Sequence, residues 1–158
     1  GSGNPEKILF TTPVDPTCLS DGWPWFIQRQ VDARYDVTVV YIEGRSFAFS
    51  LERSLFEGVD WRRHIGSVNT AEAWRPFKLP LTHADRIHRY METLGLRFGR
   101  LDFLSNSLDG PELTFLEVNP NGQWAWLDLN HDNGLFDAMT EFLFSPTTST
   151  TEVSYGRE

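Results

Sequence analysis

The sequence has a single cysteine and no excess of basic side chains. One thiol, Cys18, excludes an internal disulfide, and no signal-peptide pattern appears, so we expect a protein of the reducing cytoplasm. No run of about 18 apolar residues occurs, and no membrane-spanning helix is therefore expected. The 22 acidic residues exceed the 14 basic ones, giving a formal net charge of -8. That charge disfavours binding to nucleic acid or to an anionic membrane.

The composition that remains is that of a folded domain. Hydrophobic residues make up 40% of the 158 residues and aromatic residues 14%, which predicts one compact domain with a sizeable core. We interpret residues 1–3, Gly-Ser-Gly without an initiator methionine, as a cloning scar, and the chain as a piece of a longer protein. The domain is predicted over residues 7–144, and the Ser- and Thr-rich residues 145–158 are predicted to form a flexible tail.

Short apolar runs separated by turn residues predict an α+β fold with a mostly antiparallel sheet. Glu43-Gly44-Arg45 and Asp109-Gly110 leave room for hairpins rather than for crossover helices. A long irregular segment, 57–81, contains the sequence Asp-Trp-Arg-Arg, and a loop of that length in a compact domain is usually functional or mobile. The predicted strands are 8–12, 25–31, 37–43, 46–51, 98–104 and 113–119.

Two segments have the periodicity of amphipathic helices. In 82–94 the apolar residues recur at helical spacing and end with Leu94; Thr82 is the predicted N-cap and Gly95 the predicted stop. In 134–144 the predicted buried stripe includes Leu143, and Asn133 is the predicted cap. The sequence therefore predicts two helices to cover the sheet.

The segment FLEVNPNGQW, residues 115–124, ends an apolar strand in polar side chains. Residues two apart on a strand point to the same face, so Glu117 and Asn119 should lie side by side. Asp102 lies among large apolar residues in GRLDFL, and pairing of these two strands would bring it to the same point. Hard oxygen ligands of this kind suit Mg²⁺, which we place ahead of Ca²⁺ because the EF-hand pattern is missing.

Two other interpretations of these carboxylates come from the residues alone. An interpretation of equal weight is that Asp102 and Glu117 are charged residues of edge strands that face solvent. They could also flank a glycosidic bond at about 5 to 10 Å as an acid pair. Asn119 argues against the acid pair, because that chemistry does not need an amide at this position.

The order of FIQRQV, YDVTVVYIEGRSFAF, DWRR, RLDFL and FLEVNPNGQW resembles the C-terminal region of ATP-grasp ligase domains. The likeness covers about residues 10–144. It is nearest to the maturases that make microviridin-type rings in ribosomal peptides, and more distant to the glutamate ligases of the RimK type. The resemblance implies an enzyme that phosphorylates a carboxylate with ATP and then lets an amine or hydroxyl attack the acyl phosphate.

The resemblance also implies roles for particular residues. Asp102, Glu117 and Asn119 match the family's Mg²⁺ ligands, and Arg62 of DWRR matches its arginine near the transferred phosphate. The hinge between the two ATP-grasp subdomains matches residues 26–31, whose backbone would recognise adenine. The cofactor-binding residues assigned in and next to this hinge are Phe26, Ile27, Gln28, Val31 and Asp36.

Asp36 matches an acidic residue for the ribose hydroxyls when the spacing to Phe47 is kept without a gap. A second register, anchored on VTVV, sets Asp36 opposite the family's arginine instead. In neither register does this strand carry that arginine, and in the first Thr38 takes its place.

The implied cofactors are therefore ATP and Mg²⁺, and the implied partner is a peptide substrate. The strands that normally supply phosphate-binding lysines would precede residue 8, so we expect the chain by itself to be inactive. The alternative is a non-catalytic, degenerate ATP-grasp module that binds nucleotide, peptide or a partner protein. An intact metal triad favours the enzyme.

Overall fold

One antiparallel sheet forms the centre of the molecule. The structure, a computed structural model, describes residues 11–22, 24–64, 70–110, 112–129 and 133–144. Within these ranges five strands pair in the order β3-β2-β1-β4-β5, each antiparallel to its neighbour. The strands are β1 Tyr35–Ile42, β2 Arg45–Glu52, β3 Arg75–Pro76, β4 Phe98–Ser105 and β5 Thr114–Asn119. The predicted α+β fold with an antiparallel sheet is confirmed.

Strand β1 lies between β2 and β4 and is covered on both faces. Its residues from Val37 to Ile42 are all buried, which explains why this strand is a continuous apolar run instead of an alternating one. Ile42 pairs with Arg45, and the turn residues Glu43 and Gly44 have φ of 46° and 83°. Two positive φ values match a two-residue hairpin turn, so the hairpin predicted at this position is confirmed.

Each face of the sheet has its own apolar core. Helix α2, Leu81–Thr93, covers one face through Ile87 and Met91, which pack with Val39 and Leu101. The opposite core contains helix α3, Leu135–Phe144, and a tryptophan cluster. That cluster consists of Trp61, Trp74 and Trp126, with ring centroids 5.5 to 5.9 Å apart.

Helix α2 is present as predicted, but it begins earlier, at Leu81. Pro80 occupies the N-cap position, and its carbonyl accepts hydrogen bonds from His83 and Ala84; the prediction of Thr82 as N-cap is wrong. Gly95 has a φ of 66° and ends the helix as predicted, because glycine adopts the left-handed conformation without steric cost. Leu94 is 46% exposed and does not extend the buried stripe.

Helix α3 begins one residue later than predicted, and Asp128 caps it instead of Asn133. One carboxylate oxygen of Asp128 accepts the backbone N–H of Phe136 at 2.9 Å, and the other accepts that of Asn133. Leu135 and Ala138 are buried, but Leu143 is 66% exposed, so its place in the buried stripe was wrong. The helix packs through a narrower apolar stripe than its sequence predicts.

Several other predictions differ from the structure. Residues 25–31 form no strand and are almost all exposed. Residues 11 and 12 of the predicted first strand are irregular, whereas residues 8–10, like 1–3 and the tail from 145, lie outside the described residues. The segment 57–81 contains a 3₁₀ turn at Trp61–His64, the one-turn helix α1 at Thr70–Ala73 and strand β3. None of the helices in the described ranges is long and apolar enough to cross a membrane.

Candidate functional site

A row of paired residues crosses three strands on the face of the sheet that carries the tryptophan cluster. Thr38 of β1 pairs with Asp102 of β4, and Asp102 pairs with Glu117 of β5. Asn119 lies two residues further along β5, opposite Arg100, and therefore shares this face. The structure thus brings the three predicted metal ligands to one face.

Asp102 is the most constrained of the three. Its Oδ1 accepts a hydrogen bond from the Thr38 hydroxyl at 2.7 Å, and its Oδ2 accepts one from Nη2 of Arg100 at 3.1 Å. The side chain is 24% exposed, so these two donors replace much of the water that a carboxylate would otherwise bind. The expectation of a half-buried carboxylate with partners holds for Asp102.

Glu117 differs from that expectation, because its side chain is exposed on the edge strand. Asn119 begins the turn that follows β5, where its side-chain oxygen accepts the N–H of Asn121 at 2.9 Å. Its backbone carbonyl accepts the N–H of Gly122 at 3.2 Å. This turn fixes the amide at the end of the strand with its oxygen already in a hydrogen bond.

The donor set fits a hard cation. Two carboxylates and one amide supply oxygen atoms, which Mg²⁺ prefers, and Mg²⁺ completes its octahedron with water or phosphate oxygens. The described residues contain no group of three or more His, Cys, Asp or Glu side chains that could hold a metal ion. A metal on this face would therefore need the amide of Asn119 and ligands from outside the protein.

Arg62 is held beside this face by Asp60. Its Nε and Nη2 donate to the two carboxylate oxygens of Asp60 at 2.8 and 2.9 Å. Burial alone would raise the pKa of Asp60, but the hydrogen bonds from Arg62 and from the backbone of Thr11 hold it below its usual range. The hydrogen bond to Asp60 raises the pKa of Arg62, and the charges of Glu117 and Asp102 add to this effect. Arg62 is therefore a fixed cation within electrostatic reach of both carboxylates.

Asp36 lies on the same face, two residues before Thr38. Its side chain is 16% exposed and lies 3.7 Å from the guanidinium of Arg53. Burial, more than the nearby charges of Asp102 and Asp60, raises the pKa of Asp36 to about 6. The structure places this carboxylate on the site face and leaves its predicted role at a ribose untested.

Among the described residues, the predicted hinge makes no hydrogen bond or ion pair with these charged side chains. Phe26, Ile27 and Gln28 are exposed in the irregular segment before β1, with Phe26 96% exposed. Val31 is half-buried and lines a cavity of about 290 Å³ at the end of β4. A larger cavity of about 740 Å³ lies on the opposite face, between α2 and strands β4 and β5.

Sequence reasoning missed three charged residues that pair with predicted site residues, namely Arg53, Asp60 and Arg100. Alternation along GRLDFL puts Arg100 on the face of Asp102, so that signal was available. Asp60 precedes the predicted Arg62 by two residues, but a bidentate pair across that short spacing depends on the 3₁₀ turn. Arg53 carries no comparable pattern in the sequence.

Several solved structures have a fold similar to that of this chain. The macrocyclase MdnB of Microcystis aeruginosa MRC is 28% identical, with a TM-score of 0.58 over 76% of this chain and 41% of MdnB. A Chryseobacterium gregarium RiPP-associated ATP-grasp ligase, solved with ADP and a leader and core peptide, is 22% identical, with a TM-score of 0.64 over 73% of this chain. The chain has the fold of the ATP-grasp ligases.

The ATP-grasp likeness extends to macrocyclase MdnC, bound with precursor peptide MdnA, at 20% identity and a TM-score of 0.54. The resemblance to ATP-grasp ligases that was inferred from the sequence is confirmed by these neighbours as a likeness in fold. The chain spans 41% of MdnB, 34% of the Chryseobacterium ligase and 31% of MdnC. No protein-family model matches the chain, and no curated protein sequence does.

Proposed function

We propose that this chain is part of an ATP- and Mg²⁺-dependent ligase of the cytoplasm that joins a carboxylate to an amine or a hydroxyl, with a peptide as substrate. The observation that carries the proposal is the row of Asp102 and Glu117 beside Asn119 on one face of a sheet with the ATP-grasp fold. The reaction would transfer the γ-phosphoryl group of ATP to the carboxylate. The amine or hydroxyl would then displace phosphate from the acyl phosphate and form an amide or ester.

Asp102, Glu117 and Asn119 are the residues that would hold the metal. When bound, Mg²⁺ would supply positive charge to the phosphate oxygens during phosphoryl transfer. Thr38 and Arg100 orient the Asp102 carboxylate through its two oxygens. The Asn119 amide is positioned by the turn that it begins.

Arg62 is the residue that we assign to the transferred phosphate or the acyl phosphate. Asp60 occupies its Nε and one Nη2 hydrogen, and among the described residues the edge formed by the two terminal nitrogens has no other hydrogen-bond partner and is available to a ligand. A guanidinium that is oriented by a carboxylate partner contacts phosphate oxygens without a large loss of side-chain entropy. The backbone of residues 26–31 would recognise adenine, with Phe26, Ile27, Gln28 and Val31 around the base. Asp36 would accept hydrogen bonds from the ribose hydroxyls.

The second candidate function is a binding module that keeps the fold without the reaction. The observation in its favour is at Asp102, both of whose oxygens already have donors within the protein. One donor is Thr38, which in the first register takes the place of the family's arginine. Such a module would bind nucleotide or peptide with little dependence on metal. We also propose that the chain by itself turns over little ATP, because it spans less than half of its ligase neighbours.

Calorimetric titration with Mg²⁺ and a non-hydrolysable ATP analogue tests the metal face. We expect nucleotide binding that requires Mg²⁺, and we expect Glu117→Gln to weaken it at least tenfold because a charged ligand becomes neutral. Glu92→Gln is the matched control, since Glu92 is an exposed residue of α2 on the opposite face of the sheet. Binding that Glu117→Gln leaves unchanged would contradict the assigned site, and binding without metal would favour the module.

A further inference from the structure

An arginine, Arg100, lies within the predicted cation site and contacts one of its predicted ligands. Its Nη2 donates to Asp102 at 3.1 Å and its Nη1 donates to the carbonyl oxygen of Gln123 at 2.9 Å. The side chain is only 15% exposed. It thus links one predicted metal ligand to the turn that carries another, Asn119.

The guanidinium is incompletely satisfied in this position. Its Nε is buried and has no hydrogen-bond partner among the described residues. A buried donor without a partner has lost the water that it would bind in solution, so Arg100 is not fully hydrogen-bonded in this arrangement. Oxygens of an incoming anion could use the terminal N–H groups that now contact Asp102 and Gln123.

The charges around Arg100 are nearly balanced. The interacting side chains comprise four carboxylates and three guanidinium groups. The carboxylates are Asp36, Asp60, Asp102 and Glu117, and the guanidinium groups are those of Arg53, Arg62 and Arg100. A divalent cation that approaches Asp102 meets the positive charge of Arg100 in direct contact with its ligand, and like charges at this short range repel each other.

We propose that Arg100 is the resting counter-cation of Asp102, which keeps free divalent metal off this carboxylate and turns to phosphate oxygens when they bind. The inference rests on the proposed function, because it takes Asp102 and Glu117 as metal ligands. It makes the site selective: metal is held well when an anion accompanies it and draws the guanidinium away. Metal alone is held weakly.

Binding of Mn²⁺ alone, followed through the electron paramagnetic resonance signal of the free ion, tests the first part. Arg100→Gln should raise the affinity of the chain for Mn²⁺ at least tenfold. Arg100→Lys keeps the charge and loses the planar fork, and its affinity should stay close to that of the wild type. Arg97→Gln is the matched control: Arg97 pairs with Glu43 at 2.6 Å, and its removal should leave Mn²⁺ affinity unchanged.

The outcomes separate this inference from the proposed function. Tighter Mn²⁺ binding by Arg100→Gln that disappears when Glu117→Gln is added supports both. Equal, Glu117-dependent binding by the wild type and Arg100→Gln overturns the role of Arg100 and leaves the metal site standing. An Arg100→Lys variant that behaves like Arg100→Gln means that the bridge to Gln123 matters and not the charge, and it overturns the inference. No Mn²⁺ binding by any variant overturns both.

Metal-free tripolyphosphate tests the second part by calorimetry. Arg100→Gln should weaken its binding at least fivefold, whereas Arg100→Lys should retain most of it. Equal binding of tripolyphosphate by the wild type and Arg100→Gln would show that the guanidinium does not turn to phosphate. A cooperative urea unfolding transition for each variant establishes that it is folded at the start of the titration.

Discussion

Asp36 has a carboxylate whose surroundings oppose its charge. Its side chain is largely buried, and the charges of Asp102 and Asp60 lie on the same side of the molecule, so its pKa rises from 3.8 to about 6. Arg53 lies 3.7 Å away and offsets only part of this effect. The native state consequently holds a proton on Asp36 more tightly than the unfolded chain does.

We expect Asp36→Asn to change how stability depends on pH. Between pH 4 and 6 the native wild type binds more protons than the unfolded state, so its free energy of unfolding falls as the pH rises. The loss should reach up to about 3 kcal/mol relative to Asp36→Asn, from about two pKa units at roughly 1.4 kcal/mol each. Urea unfolding from pH 4 to 7 measures the difference. A constant difference would contradict the raised pKa, and Asp32→Asn, at an exposed position, is the control.

The turn after β5 shows how one element depends on a close approach. A Cβ atom added at Gly122 would lie 2.6 Å from the Cβ of Arg100 and 3.3 Å from the carbonyl oxygen of Asn119. Both neighbours are parts of the sheet and cannot move without a change in the strand. The turn that positions the Asn119 amide therefore requires glycine at this place.

Gly122→Ala should destabilise the protein by about 1 to 3 kcal/mol, because the added methyl group forces the turn away from β4. We expect the same change to weaken Mg²⁺-dependent nucleotide binding, since Asn119 moves with the turn. Gly22→Ala is the control, because nothing lies within 4 Å of a Cβ atom at Gly22. Urea denaturation and calorimetry measure the two effects. Equal stability of both variants would mean that the turn tolerates a side chain.

At the scale of the whole molecule, two apolar cores share one sheet. Met91 of α2 is fully buried on one face of the sheet, and the tryptophan cluster lies on the other. Strand β1 contributes Val39 to the first core and Val40 to the second. Loss of packing on one face should therefore affect the other, since both depend on the same strands.

Met91→Ala should lower the free energy of unfolding by about 2 to 5 kcal/mol through the cavity that it leaves. Tryptophan fluorescence, to which the buried tryptophan cluster of the opposite face contributes, should show the same shift in urea midpoint as far-ultraviolet circular dichroism. Leu81→Ala, in the same helix but 78% exposed, should have little effect. Separate transitions for the two probes would mean that the faces unfold independently.

Local pattern was enough to predict most elements of this fold. Four of the five strands and both long helices follow from apolar periodicity and turn residues, because side-chain spacing has a fixed period in each kind of element. The pattern failed at residues 25–31, which have the composition of a strand but pair with no other strand. It also missed β3, since two residues are too few to show a period.

The sequence by itself determined that Glu117 and Asn119 share a face, because alternation along a strand requires it. Only the tertiary structure decided what meets that face. The register of β1 against β4 places Thr38 next to Asp102. The 3₁₀ turn at Trp61–His64 lets Arg62 hydrogen-bond to Asp60. These contacts join residues through pairing across strands and through loop conformation, and neither leaves a periodic signal in the chain.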